Sequence, residues 1–250
     1  MSTLKPDISI EQSDLFAQIS NASTTVPYTT FTPNLGARAT TGDGRAFRYV
    51  QAGAAALIVG QANQGPAFSS NLQGVTAIAT AAGLSTVTLT ISTGTAITVG
   101  QFSGGFLTTY GTVANGGGQM LQISSNTAVT ASGTSITFTL VDPLVTALTT
   151  SATVTIVPPL YAGVIQTPTT ITNKVTGVAV GALAISYYGW VQVQGIANAL
   201  ISGTPAVSTG LYPATAVGSF AVTDATHPSL AQNLMTGVDG RYGPVDLHIS

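Results

Sequence analysis

The chain has 250 residues, a mass of 25.1 kDa, 44% hydrophobic side chains and a mean hydropathy of +0.42, which excludes disorder and leaves room for one large or two small folded domains. Only 6% of residues are charged, against about 25% in an ordinary soluble domain, and the formal net charge is −2. Nucleic-acid binding rests on clustered Lys and Arg and is not expected, and with no Cys neither disulfides nor thiolate chemistry is available.

The charges are also unevenly placed. Between Arg48 and Asp224 the only charged residues are Asp142 and Lys174. A surface this poor in charge is kept soluble by Thr, Ser, Gln and Asn, or is covered by partners, and the balance favours assembly.

Residues 1–41 read as an extended N-terminal arm. The first residues carry no apolar signal core. Residues 13–19 suit one or two helical turns, after which Pro27, Pro33 and the Asn34-Leu35-Gly36 triplet read as extended and turning chain. Ile8, Ile10, Leu15 and Phe16 have too little sequence beside them to be buried locally. They are expected to dock on the chain's own β domain or on a neighbouring subunit.

A main β domain is expected from residues 42–71 and 159–250. It opens with an Asp43-Gly44 turn, whose glycine supplies the positive φ of a tight hairpin. The strand that follows places Phe47 and Tyr49 in the core. Residues 72–158 read as a second, smaller β domain, inserted or adjacent. Within it, 82–91 resembles 132–140: apolar residues alternate with Thr, and a turn follows in each. The Gly116-Gly117-Gly118 loop separates two further strands.

The chain then returns to the main domain through a central strand around 187–196. Alternation puts Tyr188, Trp190, Gln192, Gln194 and Ile196 on one face and Val191, Val193 and Ala197 on the other. Tyr188, Trp190, Val191 and Val193 are therefore candidate core residues. Trp brings the largest single burial, and its N–H makes Gln192 or Gln194 a natural neighbour. Residues 175–201 are uncharged for longer than a membrane span, but four glycines and a strand period speak against a transmembrane helix.

No catalytic constellation emerges. The single Glu, Glu11, lies in the arm, and Asp43, Asp142 and Asp239 precede Gly or Pro as turn residues. His227 and His248 lack a Gly-x-Ser-x-Gly elbow among their possible partners. Asp224, His227, Asp246 and His248 are the only combination resembling a metal set, with Asp246 and His248 two apart on one strand face. The reading assigns no catalytic residue, no metal and no cofactor.

An Asp-Gly-Arg-x-Phe-x-Tyr-Val strand (43–50), an Ala-Gly-Ala turn (52–54), Thr-rich β repeats (75–156) and Tyr188-Gly189-Trp190-Val191-Gln192 together resemble the capsid decoration, or cement, proteins of tailed bacteriophages. The resemblance spans most of the chain after the arm. It implies a non-enzymatic virion protein, commonly a homotrimer, that binds the outer surface of the major capsid protein lattice and braces the shell. A head-fibre or receptor-binding protein of a phage is the alternative. Such a fibre has more regular repeats, and a receptor-binding tip concentrates aromatics, which make up only 7% here. The expected fold class is all-β: a β-sandwich or barrel-like domain with a second small β domain and an extended arm. Neither nucleic acid nor membrane is an expected partner.

Overall fold

The computed structural model describes residues 8–9, 34–94, 96–213, 216–224 and 226–249. They form an all-β protein of two compact units, Met1–Pro66 with Leu160–Ser250, and Ala67–Pro159. In chain order the strands are β1 (Ile8–Ser9), β2 (Arg38–Thr40), β3 (Ala46–Ala52), β4 (Ala62–Gln64), β5 (Val75–Ala77), β6 (Thr86–Thr90), β7 (Phe106–Tyr110), β8 (Met120–Asn126) and β9 (Ser135–Leu140). There follow β10 (Thr153–Val157), β11 (Ala162–Gln166), β12 (Val175–Ala179), β13 (Tyr188–Leu200), β14 (Gly210–Pro213), β15 (Phe220–Val222), β16 (Ala231–Asn233) and β17 (Tyr242–His248). The helical turns expected at 13–19 lie outside the described residues, as do the side chains of Ile8, Ile10, Leu15 and Phe16.

The unit Ala67–Pro159 is a closed antiparallel barrel with strand order β10-β5-β6-β9-β8-β7. β7, β8 and β9 form a meander and β10 returns beside β7, which is Greek-key order. Alternation explains the closure. Val87 and Leu89 of β6, Ile136 and Phe138 of β9, and Val154 and Ile156 of β10 all point into one buried core, leaving the Thr and Ser between them outside. The unit begins at Ala67, ahead of the expected residue 72. The reason is the 3-10 turn Ser70–Leu72, which seats the fully buried Leu72 in this core.

The two repeat segments are β6 and β9 themselves, paired with each other about a local twofold axis. The hydrogen bonds obey that axis. Ile91 N–H donates to Thr134 and Leu140 N–H to Ser85; Ile78 N–H donates to Thr88 and Thr127 N–H to Thr137. Under the same axis β5-β6-β7 maps onto β8-β9-β10.

In the other unit, β3, β11, β4, β12 and β13 pair successively and β13 pairs back onto β3, so these five strands close a ring. β13 outruns the ring. Its first half pairs with β3 and β12, while Gln194 to Leu200 pair with β17, beyond which lie β16, β14 and β15. Of the residues placed in the arm, 8–9 and 38–40 are strands of this unit's own sheet. β2 pairs with β3 from Arg38↔Arg48 to Thr40↔Ala46, fully burying Ala39, and β1 pairs in parallel with β2 through Ile8↔Ala39 and Ser9↔Thr40. Gly65, next to Pro66 where the chain leaves this unit, is adjacent to Leu160, where it returns: a Cβ at Gly65 would stand 2.9 Å from the Leu160 carbonyl oxygen.

The first half of β13 is buried on both faces. Val191 joins Val50, Leu57, Val164 and Leu183 on one side, and Trp190 packs with Phe47, Tyr49 and Ala39 on the other. Val193 belongs to a third cluster, under Phe220, Val245 and Leu247. The Trp190 ring meets Tyr49 edge-on at 5.1 Å and 61°, and Tyr49 stacks on the half-buried Tyr188 at 6.1 Å.

Candidate interaction surface

The β2–β3 hairpin concentrates charge. Asp43 in its turn accepts hydrogen bonds from the Thr41 hydroxyl and from Arg45, whose Nε lies 2.7 Å from Asp43 Oδ2. The Thr41 bond, followed by those from Arg45, holds the Asp43 carboxyl below its ordinary range. Arg38 and Arg48 stand directly opposite each other, an arrangement that costs free energy unless anions lie nearby. Arg38 donates to Gln194 Oε1 at 3.0 Å, and Arg48 donates to the Gly36 carbonyl and lies over the Tyr161 ring. Both arginines line one polar cleft with Asp246 and His248 of β17.

A second cleft in the same unit, of about 740 Å³, is mainly apolar. Ile58, Val59, Ile196 and Tyr242 line it and are all exposed, Ile196 at 64%. The alternation that put Ile196 beside Trp190 does not run through unbroken: the register shifts between Gln192 and Gln194, Gly195 has φ +81°, and Ile196 is exposed. β3 starts at Ala46, opposite Gln194, so β13 has left the ring by the time it reaches Ile196. The Gln192 amide, expected near the indole, donates to the carbonyls of Gln194, Gly195 and Ile196 and braces this departure.

The six-stranded barrel carries a third surface. Its only charged residue is Asp142. Val145 is 80% exposed, Val113 77% and Met120 62%. One side chain ties the loop after Val113 to that of Val145, beside Met120 at the start of β8: Gln119 Nε2 donates to the carbonyls of Gly116 and Thr146, while its Oε1 accepts the N–H groups of Val145 and Thr146. Sequence reasoning missed this patch. Periodicity shows which strand residues face inward, but not which loop valines a distant glutamine holds in solvent.

Asp224, His227, Asp246 and His248 divide between two places. Asp224 Oδ1 accepts from Thr226 N–H, the Thr226 hydroxyl, His227 N–H and His227 Nδ1, at 2.6–3.0 Å. These bonds, that of the Thr226 hydroxyl foremost, hold the Asp224 carboxyl well below the usual carboxylate range. The His227 ring stacks on Tyr212 at 4.5 Å. Burial, and next the Asp224 charge, raise the Tyr212 phenol. A catalytic triad needs the acid on one imidazole nitrogen and the nucleophile on the other. Here Asp224 and the Thr226 hydroxyl both meet Nδ1, so the group closes a loop. Asp246 and His248 line the arginine cleft instead, and among the described residues no three His, Asp or Glu side chains gather as metal ligands. No helix among the described residues is long and apolar enough to cross a membrane.

Comparison with protein-family models, with curated proteins and with solved structures gives no match to the chain.

Proposed function

We propose that this protein is a non-enzymatic structural component of a phage virion, a decoration protein that binds the outer face of the major capsid protein lattice as a homo-oligomer, a trimer by the resemblance. The observation that carries the reading is the near-neutral barrel presenting Val113, Met120 and Val145 to solvent. Apolar contact is insensitive to screening, and many copies on a symmetric shell multiply a modest interface by avidity. Exposed aliphatic side chains on a nearly uncharged β surface suit adhesion to another protein far better than chemistry on a small molecule.

The test is to add purified protein to undecorated capsids and image them. Ordered density on the outer shell supports the reading, and density at tail tips or fibres supports the head-fibre or receptor-binding alternative. Val145→Glu with Val113→Glu places charge on the patch without touching either core and should lower shell occupancy at least tenfold. Unchanged occupancy in that variant removes the patch from the contact. Deleting residues 1–20 removes only the two-residue β1 from the described sheet, so melting should change little.

A further inference from the structure

The edge formed by β2 carries the strongest remaining signal. β1 and β2 are consecutive strands, yet they run parallel. Parallel neighbours cannot be joined by a tight turn, and their connection here runs from Ile10 to Ala37. At 3.3–3.6 Å per residue, such a chain reaches roughly 90 Å when extended, several times the radius of a domain of this size. Charge adds a second argument. Residues 1–33 hold Lys5 against Asp7, Glu11 and Asp14, whereas residues 34–52 hold Asp43 against Arg38, Arg45 and Arg48. Within an otherwise almost neutral chain, the N-terminal segment and the hairpin thus carry net charges of opposite sign.

We propose that β1 is an exchangeable strand: in the assembled protein, the segment paired with β2 of one molecule is supplied by a second copy of the chain. This deepens the assembly reading above and rests on it. The contacts made in exchange are the same two backbone pairs as within one chain, so the choice is set by concentration rather than by new chemistry. A tethered strand has an effective concentration on the order of millimolar for a short linker, and this falls roughly as the −3/2 power of linker length. Copies standing side by side present one another's strands at comparable concentration. In dilute solution the chain therefore closes on itself, and in assemblies the strands pass between neighbours.

The absence of Cys makes the test direct. Two single variants, Ile8→Cys and Ala39→Cys, are mixed at equal amounts under a glutathione redox buffer, with one chain carrying a mass tag. Neighbouring strands lie about 4.8 Å apart, within the Cα separation a disulfide spans. At about 1 mM protein, the mixed disulfide dimer should exceed either like-with-like dimer at least fivefold, and should fall toward zero at about 1 µM. Mixed and like-with-like dimers in statistical proportion at both concentrations would overturn the proposal. The double variant Ile8→Cys/Ala39→Cys giving only intramolecular bonds at 1 mM would overturn it as well. Ser9→Cys with Thr40→Cys repeats the test at a half-buried position, in case Cys at the fully buried Ala39 disturbs folding. The assay needs no capsid, so failure to decorate shells leaves its outcome separate.

Discussion

The hydroxyls of Thr88 and Thr137 lie 2.9 Å apart, on the axis that relates the two halves of the six-stranded barrel. Each residue is the other's symmetry mate, and each stands at the centre of its Thr-rich repeat. The repeat is therefore the signature of one barrel built twice over, in which each copy supplies half the wall. Neither half closes a core alone.

Removing one of these hydroxyls should cost more than removing both. Thr88→Val and Thr137→Val each leave a half-buried partner without its hydrogen bond, at about 0.5–1.5 kcal/mol. The double Val variant keeps the shape of both side chains and loses the pair together, so it should be no less stable than either single. Urea unfolding of the four proteins measures the coupling. Strict additivity would mean that the two hydroxyls are bound to water rather than to each other.

Trp190 is 1% exposed and packs against Tyr49 and Phe47, so Trp190→Ala should cost about 3–5 kcal/mol. As the only Trp it reports on itself. Native emission should be blue-shifted and should move red in a single step on unfolding of its unit.

Tyr49 gives the protein an alkaline limit. Its hydroxyl is buried with no hydrogen-bond partner among the described residues, and burial, with the neighbouring Tyr188 second, pushes the phenol up to about 12. The folded state thus prefers the neutral phenol. The contribution is fully present below the unfolded value near 10 and is lost as the pH rises toward 12, at most about 2 kcal/mol. Tyr49→Phe should flatten this decline and add up to about 1 kcal/mol at neutral pH, because it deletes an unsatisfied polar group. Calorimetry between pH 8 and 11.5 separates the two proteins, and parallel declines would show that other groups set the limit.

The triple-glycine loop should be sensitive at one residue and tolerant at another. Gly116 has φ +84° and a Cβ there would stand 2.5 Å from the Ala147 carbonyl oxygen, whereas Gly118 has φ +87° and open space around it. Gly116→Ala should cost about 2–4 kcal/mol through strain and collision, and Gly118→Ala about 1 kcal/mol through strain alone. Equal melting temperatures for the two variants would contradict this geometry.

Much of this architecture was legible because period-two alternation is a local property. The run from Tyr188 to Val193 and the Thr-rich β6 and β9 announced themselves as strands, and Asp43-Gly44 announced its turn. Long-range partners were not legible. Nothing in the sequence says that 82–91 and 132–140 lie against each other rather than in successive modules, since both arrangements need the same alternation. Arg38 to Thr40 looked like arm because three residues are too few to show a period, and their strand character comes from β3 alongside. The candidate surface was harder still. Val113 and Val145 lie in a short turn and a loop, where no period marks which side chains face solvent.

The chain leaves the five-stranded ring at Gly65 and rejoins it at Leu160, side by side. A fold interrupted at two touching points behaves as a socket. Every described strand of the ring finds its partners within its own unit, so a longer, shorter or unrelated domain fits there if its two ends also meet. Selection can then rework the inserted barrel, or replace it with foreign cargo, while the ring and its edge strands keep their pairing.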